Sequence, residues 1–176
     1  NHQIKYLLSF GTLLPCVNDK SFKLILPTNG NKININKQSL IKATSKPSIE
    51  NIVDWSKTLL GTPYLWGGRS SFGFDCSGLI QSLLYMKHIL FSRDTKDQIN
   101  SEFLTEKKIN NINMGDLIFF LNSDIPNHVG IFIDSDIFIH SSGFVKMGSI
   151  NKKNIFYDEI LDKMKSKVFN LNVKGE

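Results

Sequence analysis

The sequence predicts an α+β fold, with a short β-rich stretch ahead of a larger mixed domain, and three observations carry that expectation. Apolar residues recur at helical spacing in two stretches, residues 48 to 61 and residues 76 to 89. Between Leu117 and Ser141 the apolar residues instead form a continuous run and then alternate, as they do in strands. Residues 1 to 45 hold only short apolar runs separated by turn residues. At 176 residues the chain is one ordinary domain with room for a small appendage, and it can bury roughly two thirds of its unfolded surface.

In the first stretch, Tyr6 to Phe10, Leu13 to Val17 and Phe22 to Leu26 read as strands. Gly11, Asn18-Asp19 and Pro27-Thr28-Asn29-Gly30-Asn31 supply turns between them, and Ile33 and Ile35 alternate with polar neighbours. Forty-odd residues is marginal for an independent fold, so residues 1–45 are expected to form a subdomain leaning on a main domain of residues 46–176. The joint falls at Ala43-Thr44-Ser45-Lys46-Pro47. Ser48 then caps a helix whose apolar face is Ile49, Ile52, Val53, Leu59 and Leu60, and Gly61 ends it. A glycine-bearing loop, Thr62 to Phe74, leads to a second helix from Cys76 to Ile89 with Leu79, Ile80, Leu83 and Leu84 on its buried side.

A short polar helix follows Arg93-Asp94. Leu117-Ile118-Phe119-Phe120 has the unbroken apolar character of a buried strand, and His128 to Ile133 with Ile137 to Ser141 reads as a hairpin around Asp134-Ser135-Asp136. The tail from Lys152 fits either strand or helix. No internal repeat or low-complexity segment is visible.

Composition is that of an ordinary globular chain, 41% hydrophobic and 21% charged, which argues against disordered and fibrous classes. The net charge of +5 comes from scattered lysines. The densest group, Lys163, Lys165 and Lys167, alternates with apolar residues and lacks the interleaved aromatics of a nucleic-acid surface, so no nucleic-acid partner is expected. No apolar run approaches the roughly 18 residues of a transmembrane segment, and no cationic leader precedes a short apolar stretch. The first residue is Asn1, not Met, which leaves room for an upstream signal or domain; compartment and oligomeric state are not set by the sequence. Cys16 and Cys76 cannot make a disulfide framework, and Cys16 reads as a small buried residue.

Cys76 is the chemically pointed residue. It opens the second helix, where unpaired N–H groups and the positive end of the macrodipole should lower its pKa. If the later hairpin is symmetric about Asp134, His128 stands directly opposite His140 with Cβ atoms about 4.5–5.5 Å apart. The same register gathers Val129, Ile131, Ile133, Ile137 and Ile139 on the other face. This predicts a nucleophile, base and orienter set of Cys76, His128 and His140, with Gly78 leaving room for a ligand. A zinc site from the same three residues is disfavoured, because paired ligand spacing is absent and a helix N-terminus repels a cation. No cofactor is called for.

Several strings together resemble one family. Gly61-Thr62-Pro63-Tyr64-Leu65-Trp66-Gly67-Gly68, Asp75-Cys76-Ser77-Gly78, Met114-Gly115-Asp116-Leu117-Ile118-Phe119-Phe120, His128-Val129-Gly130-Ile131 and Ile139-His140-Ser141-Ser142 look like the successive signatures of the NlpC/P60 cysteine peptidases, over roughly residues 48 to 150. The resemblance implies a papain-like core of helices packed on a central antiparallel sheet, a Cys76, His128, His140 triad, and peptidoglycan-derived peptides as substrate. It also implies that Tyr64 donates to the oxyanion and that Asp75 and Ser77 shape the substrate site. Phe91-Ser92-Arg93-Asp94-Thr95-Lys96-Asp97-Gln98 is similar to a segment of the γ-D-glutamyl-L-diamino acid endopeptidases that carry N-terminal bacterial SH3-like domains. That likeness implies a free L-Ala amine met by Asp94 with Thr95, where helix capping by Asp94 is the plainer reading. Only Phe22 to Leu40 looks like the closing strands of such an SH3-like domain, so a reduced subdomain and a more open site are expected. The same triad would also serve a wall amidase or a thiol acyltransferase, and a muropeptide-binding module without catalysis is the reading of another class.

Overall fold

The structure, a computed structural model, describes residues 7–17, 23–25, 32–34, 40 and 47–172. The chain divides into two compact units, Asn1–Lys46 and Pro47–Glu176. In the first, three short strands, β1 (Cys16–Val17), β2 (Lys23–Ile25) and β3 (Lys32–Asn34), pair antiparallel in that order. Residues 7 to 10, expected as strand, are not one. The Thr12 N–H and hydroxyl both bond the Ser9 carbonyl, and Gly11 at φ +75° completes a turn there. The Asn18-Asp19 and Pro27 to Asn31 turns, Ile35 and the Ala43 to Lys46 part of the joint lie outside the described residues.

The second unit opens with α1 (Ile49–Thr58), whose N-cap Ser48 and Asn51 exchange side-chain and backbone bonds in a capping box. β4 (Arg69–Ser70) and β5 (Gly73–Phe74) form a small ribbon ahead of α2 (Cys76–Tyr85). Leu79, Ile80, Leu83 and Leu84 of α2 are fully buried. The helix stops four residues short of the expected Ile89. The N–H of Ile89 bonds the Leu84 carbonyl, that of His88 bonds Tyr85, and His88 takes φ +62°, a Schellman-type end made without the usual glycine.

Beyond the single turn of α3 (Thr95–Gln98), a fully antiparallel sheet of six strands has the order β10-β9-β8-β7-β11-β6. Its members are β6 (Leu104–Lys107), β7 (Leu117–Asn122), β8 (Ile125–Phe132), β9 (Phe138–Ser142), β10 (Phe144–Gly148) and β11 (Lys165–Leu171), with the short α4 (Glu159–Asp162) before β11. The unbroken apolar run of β7 is explained by burial on both faces. Ile118 and Phe120 join Phe132, Phe138, Leu161 and Val168 in one cluster, while Phe119 meets the edge of Phe169 at 5.4 Å on the other side. The ambiguous tail resolves as β11, inserted between β7 and β6. Its lysines are neutralised there: Lys165 pairs with Asp124 at 2.6 Å and Lys167 with Glu106 at 2.9 Å, as Lys163 does with Glu159 at 2.6 Å.

Two hairpin details differ from expectation. β8 begins at Ile125, joined to β7 by Ser123 and Asp124, both at positive φ as in a type I′ turn. The register then shifts between Phe120, opposite His128, and Leu121, opposite Pro126, leaving Asn127 as a bulge beside His128. In the β8–β9 pair, His140 faces Gly130, not His128. The turn is centred on Ser135, one residue later than expected, and this moves the pairing by two residues. A slip of two keeps every side chain on its face, so Ile131 trades Ile137 for Ile139 as its partner without leaving that face.

Among the described residues, no helix is long and apolar enough to cross a membrane, and no group of three or more His, Cys, Asp or Glu gathers as a metal site.

Candidate active site

The approach to Cys76 is built by the loop after α1. Gly61 N–H bonds the Val145 carbonyl, Val145 N–H returns to Thr62, and Tyr64 N–H bonds Gly143, so residues 61 to 64 run along β10. Phe74 N–H then bonds Pro63 and Leu65 N–H bonds Phe74, which brings β5 against the same segment. Tyr64 is thereby held between β10 and the residue two before the thiol.

At the N-terminus of α2, Asp75 is the cap and its Oδ1 accepts the Gly78 N–H at 2.7 Å. Cys76 is 8% exposed, its sulfur 3.9 Å from Thr95 Oγ1, and the backbone N–H groups of Val129 and Ser77 favour its thiolate. Val129 directly follows His128. The expected lowering of the Cys76 pKa is nevertheless not what the site produces. Burial pushes the thiol above its ordinary range, and the Asp75 carboxylate adds to that against the Thr95 hydroxyl and the two N–H groups. Desolvation outweighs the N–H groups that favour the thiolate, so the sulfur holds its proton more tightly than an exposed thiol does.

His128 and His140 meet on the face shared with Phe120 and Phe138, with Nε2 of His128 2.7 Å from Nδ1 of His140 and the rings edge-on. Burial first drives both imidazoles toward the neutral form, His128 to about 4 and His140, with its neighbour's charge adding, to about 3. His140 is fully buried and its Nε2 has no hydrogen-bond partner among the described residues. Gly148 lies against that nitrogen, where a Cβ would come within 3.0 Å.

Tyr64 keeps its proton: burial, then the charges of Cys76 and Asp75, raise its pKa, so the hydroxyl remains a donor. Ser77 is buried, and its Oγ accepts from Arg93 Nη1 at 2.8 Å. Asp94 is exposed and its side chain makes no capping bond to α3, so the plainer reading of that carboxylate does not describe it. Thr95 is 8% exposed, and its hydroxyl lies against the Cys76 sulfur. Gly78 does not open space for a ligand. The volume a side chain would fill there is taken by the Gly68 carbonyl of the preceding loop.

The NlpC/P60 family profile matches residues 61–163, which holds Tyr64, Cys76 and both histidines. The chain belongs to the NlpC/P60 family. It is similar to the γ-D-glutamyl-L-lysine dipeptidyl-peptidases of Bacillus cereus (31% identical over 144 residues) and Bacillus subtilis (30% over 138 residues), each alignment covering 76% of this chain. The chain spans 42% and 46% of the lengths of those relatives. Among solved structures it is similar to an NlpC/P60 family protein from Bacillus cereus, with a TM-score of 0.71 and 26% identity over 88% of this chain and 52% of that one.

Two residues of this NlpC/P60 domain went unread in the sequence. Arg93 forks onto Asp75, Nη1 to Oδ1 at 3.0 Å and Nη2 to Oδ2 at 2.5 Å. Gln98, fully buried, donates to the carbonyls of Ser77 and Ser92 at 2.9 and 2.8 Å. A signal for the first was present: of the 21 basic residues, only Arg69 and Arg93 are arginines.

Proposed function

We propose that this domain is a thiol peptidase that hydrolyses the γ-D-Glu to diamino acid bond of peptidoglycan-derived peptides. The observation that carries the reading is the 2.7 Å bond between His128 Nε2 and His140 Nδ1. It commits one nitrogen of His128 and leaves Nδ1 to act as base, so the working tautomer carries its hydrogen on Nε2. Because burial raises the pKa of Cys76 and lowers that of His128, proton transfer accompanies attack: His128 takes the Cys76 proton as the sulfur adds to the carbonyl. The Tyr64 hydroxyl and the backbone N–H of Cys76 are the donors for the oxyanion. His128 then protonates the leaving amine and activates the water that cleaves the thioester.

The names of the two bacillar relatives support the γ-D-glutamyl specificity, and the exposed, uncapped carboxylate of Asp94 supports recognition of a free L-Ala amine. The three short strands of the first unit support reading residues 1–45 as a reduced SH3-like subdomain. Digestion of purified muropeptides with free and with blocked L-Ala amines, read by mass spectrometry, tests the whole reading. Release of L-Ala-γ-D-Glu from the free-amine peptide alone is the expected result. Cleavage at the sugar to peptide amide, acyl transfer without hydrolysis, or binding without turnover would each replace it, and equal cleavage of both peptides would remove Asp94 from the account.

A further inference from the structure

Every acceptor position of Asp75 is occupied from within the chain. Oδ1 takes the Gly78 N–H at 2.7 Å and Arg93 Nη1 at 3.0 Å; Oδ2 takes the Gly67 N–H at 2.8 Å and Arg93 Nη2 at 2.5 Å. Two carboxylate oxygens offer about four lone-pair sites, so nothing remains for a substrate to donate into. The carboxylate joins three parts of the site: the loop at Gly67, the first turn of α2, and the segment bearing Asp94 and Thr95.

Arg93 is itself delivered with care. Gln81 Nε2 of α2 holds the Phe91 carbonyl at 2.8 Å, and Gln98 Nε2 of α3 holds that of Ser92, also at 2.8 Å. The two carbonyls before Arg93 are thus fixed by amides from two helices. Its Nη1 reaches Ser77 Oγ on the far side of the thiol residue, so the guanidinium touches the residues on both sides of Cys76. The Arg93 and Asp75 side chains retain only 30% and 10% of their exposure, where a bidentate, charge-assisted pair is stronger and better oriented than a surface one. A lysine, with a single point charge, cannot supply this fork.

We propose that Arg93 is a positioning residue of the peptidase, clamping Asp75 and Ser77 so that the first turn of α2 presents Cys76 at a fixed place and angle. The proposal rests on Cys76 being the nucleophile. Arg93 acts through Asp75, and Asp75 serves the site as a strut between loop and helix, not as a substrate ligand.

The test compares Arg93→Ala, Arg93→Lys, Asp75→Asn and the double variant Asp75→Asn/Arg93→Ala in the full chain. Two readouts are used: kcat and KM on a muropeptide, and the pH dependence of Cys76 alkylation by iodoacetamide, which needs no substrate. Arg93→Ala is expected to lower kcat about 100-fold with KM little changed, the scale set by a misplacement of about an ångström. It should also move alkylation to higher pH, because the Asp75 charge then stands uncompensated beside the thiol. Millimolar methylguanidinium should restore much of the kcat, and Arg93→Lys should fall between. In the Asp75→Asn background the further loss of Arg93 should cost much less, since acting through one partner makes the two effects non-additive. If Arg93→Ala does not fold, Arg93→Lys carries the same comparison, with its charge kept and its fork lost.

An unchanged alkylation profile with unchanged kcat, or fully additive losses in the double variant, would overturn the proposal. If the native chain cleaves no muropeptide but Arg93→Ala still displaces the alkylation profile, the proposed function fails and the clamp stands.

Discussion

His128 and His140 touch Nε2 to Nδ1 at 2.7 Å although they are not cross-strand partners; His140 is paired with Gly130. The contact is diagonal. Gly130 adds no side chain on that face, where a Cβ would crowd Phe138 and the His140 Cβ, and the Asn127 bulge re-aims His128 at the start of the paired stretch. The diagonal reach places His140 Nδ1 at hydrogen-bonding distance from His128 Nε2, and the first expectations follow from that.

Replacing His128 by Ala should remove the base. A loss of about 100- to 10,000-fold in kcat is expected, the range of general acid–base catalysis, with KM changed far less. Steady-state kinetics on a muropeptide checks it, and turnover within threefold of native would discard the assignment.

His140→Asn and His140→Leu should separate by tautomer control. The Asn carbonyl oxygen can accept from His128 Nε2 near the place now held by His140 Nδ1, whereas Leu accepts nothing. The Leu variant should therefore lose up to about 10,000-fold in kcat and the Asn variant considerably less. Equal losses would show that His140 only fills space.

Acid should unfold this domain through its histidines. Both imidazoles are buried as the neutral form, so their folded titration lies below the ordinary 6.5, for His128 at about 4. Between those values the unfolded chain binds more protons than the folded one. Stability from this source is therefore complete above about 6.5 and declines as pH falls toward 4. Melting temperatures recorded across that interval should drop, and the drop should be shallower in His128→Gln; a flat profile would show that the rings are solvated.

Gly78→Ala should be among the most damaging single-methyl changes. The new Cβ would overlap the Gly68 carbonyl and press on Asp75 Oδ1, and rigid backbone on one side and the Arg93 clamp on the other leave nowhere to move. Overpacking of this kind costs about 1–3 kcal/mol. Gly143→Ala, with open space at φ +74°, should cost about 1–2 kcal/mol from backbone strain alone. Urea denaturation would rank the two, and a Gly78→Ala chain as stable as native would mean that the loop yields.

Much of this domain was legible in one dimension because its signals are local. The Ser48 cap, the helical spacing of Leu79, Ile80, Leu83 and Leu84, and the doubly buried run of β7 each depend on neighbours within a few residues. The pairing of two histidines on one face survived an error in register, because a shift of two residues leaves the alternation of faces intact. What escaped was decided by groups far apart in the chain. The tail became β11 only through pairing with both β7 and β6, and the glycine at position 78 answers to a carbonyl ten residues earlier.

The sequence by itself determined on which elements Cys76, His128 and His140 ride, since residue type and periodicity are written locally. Only the tertiary structure decided the direction in which the thiol's pKa moves and which group Asp75 pairs with. Burial is a property of everything packed around a group, so the helix terminus that favours a thiolate was outweighed by desolvation. The partner of Asp75 likewise lies eighteen residues away, brought there by the fold of the intervening helix.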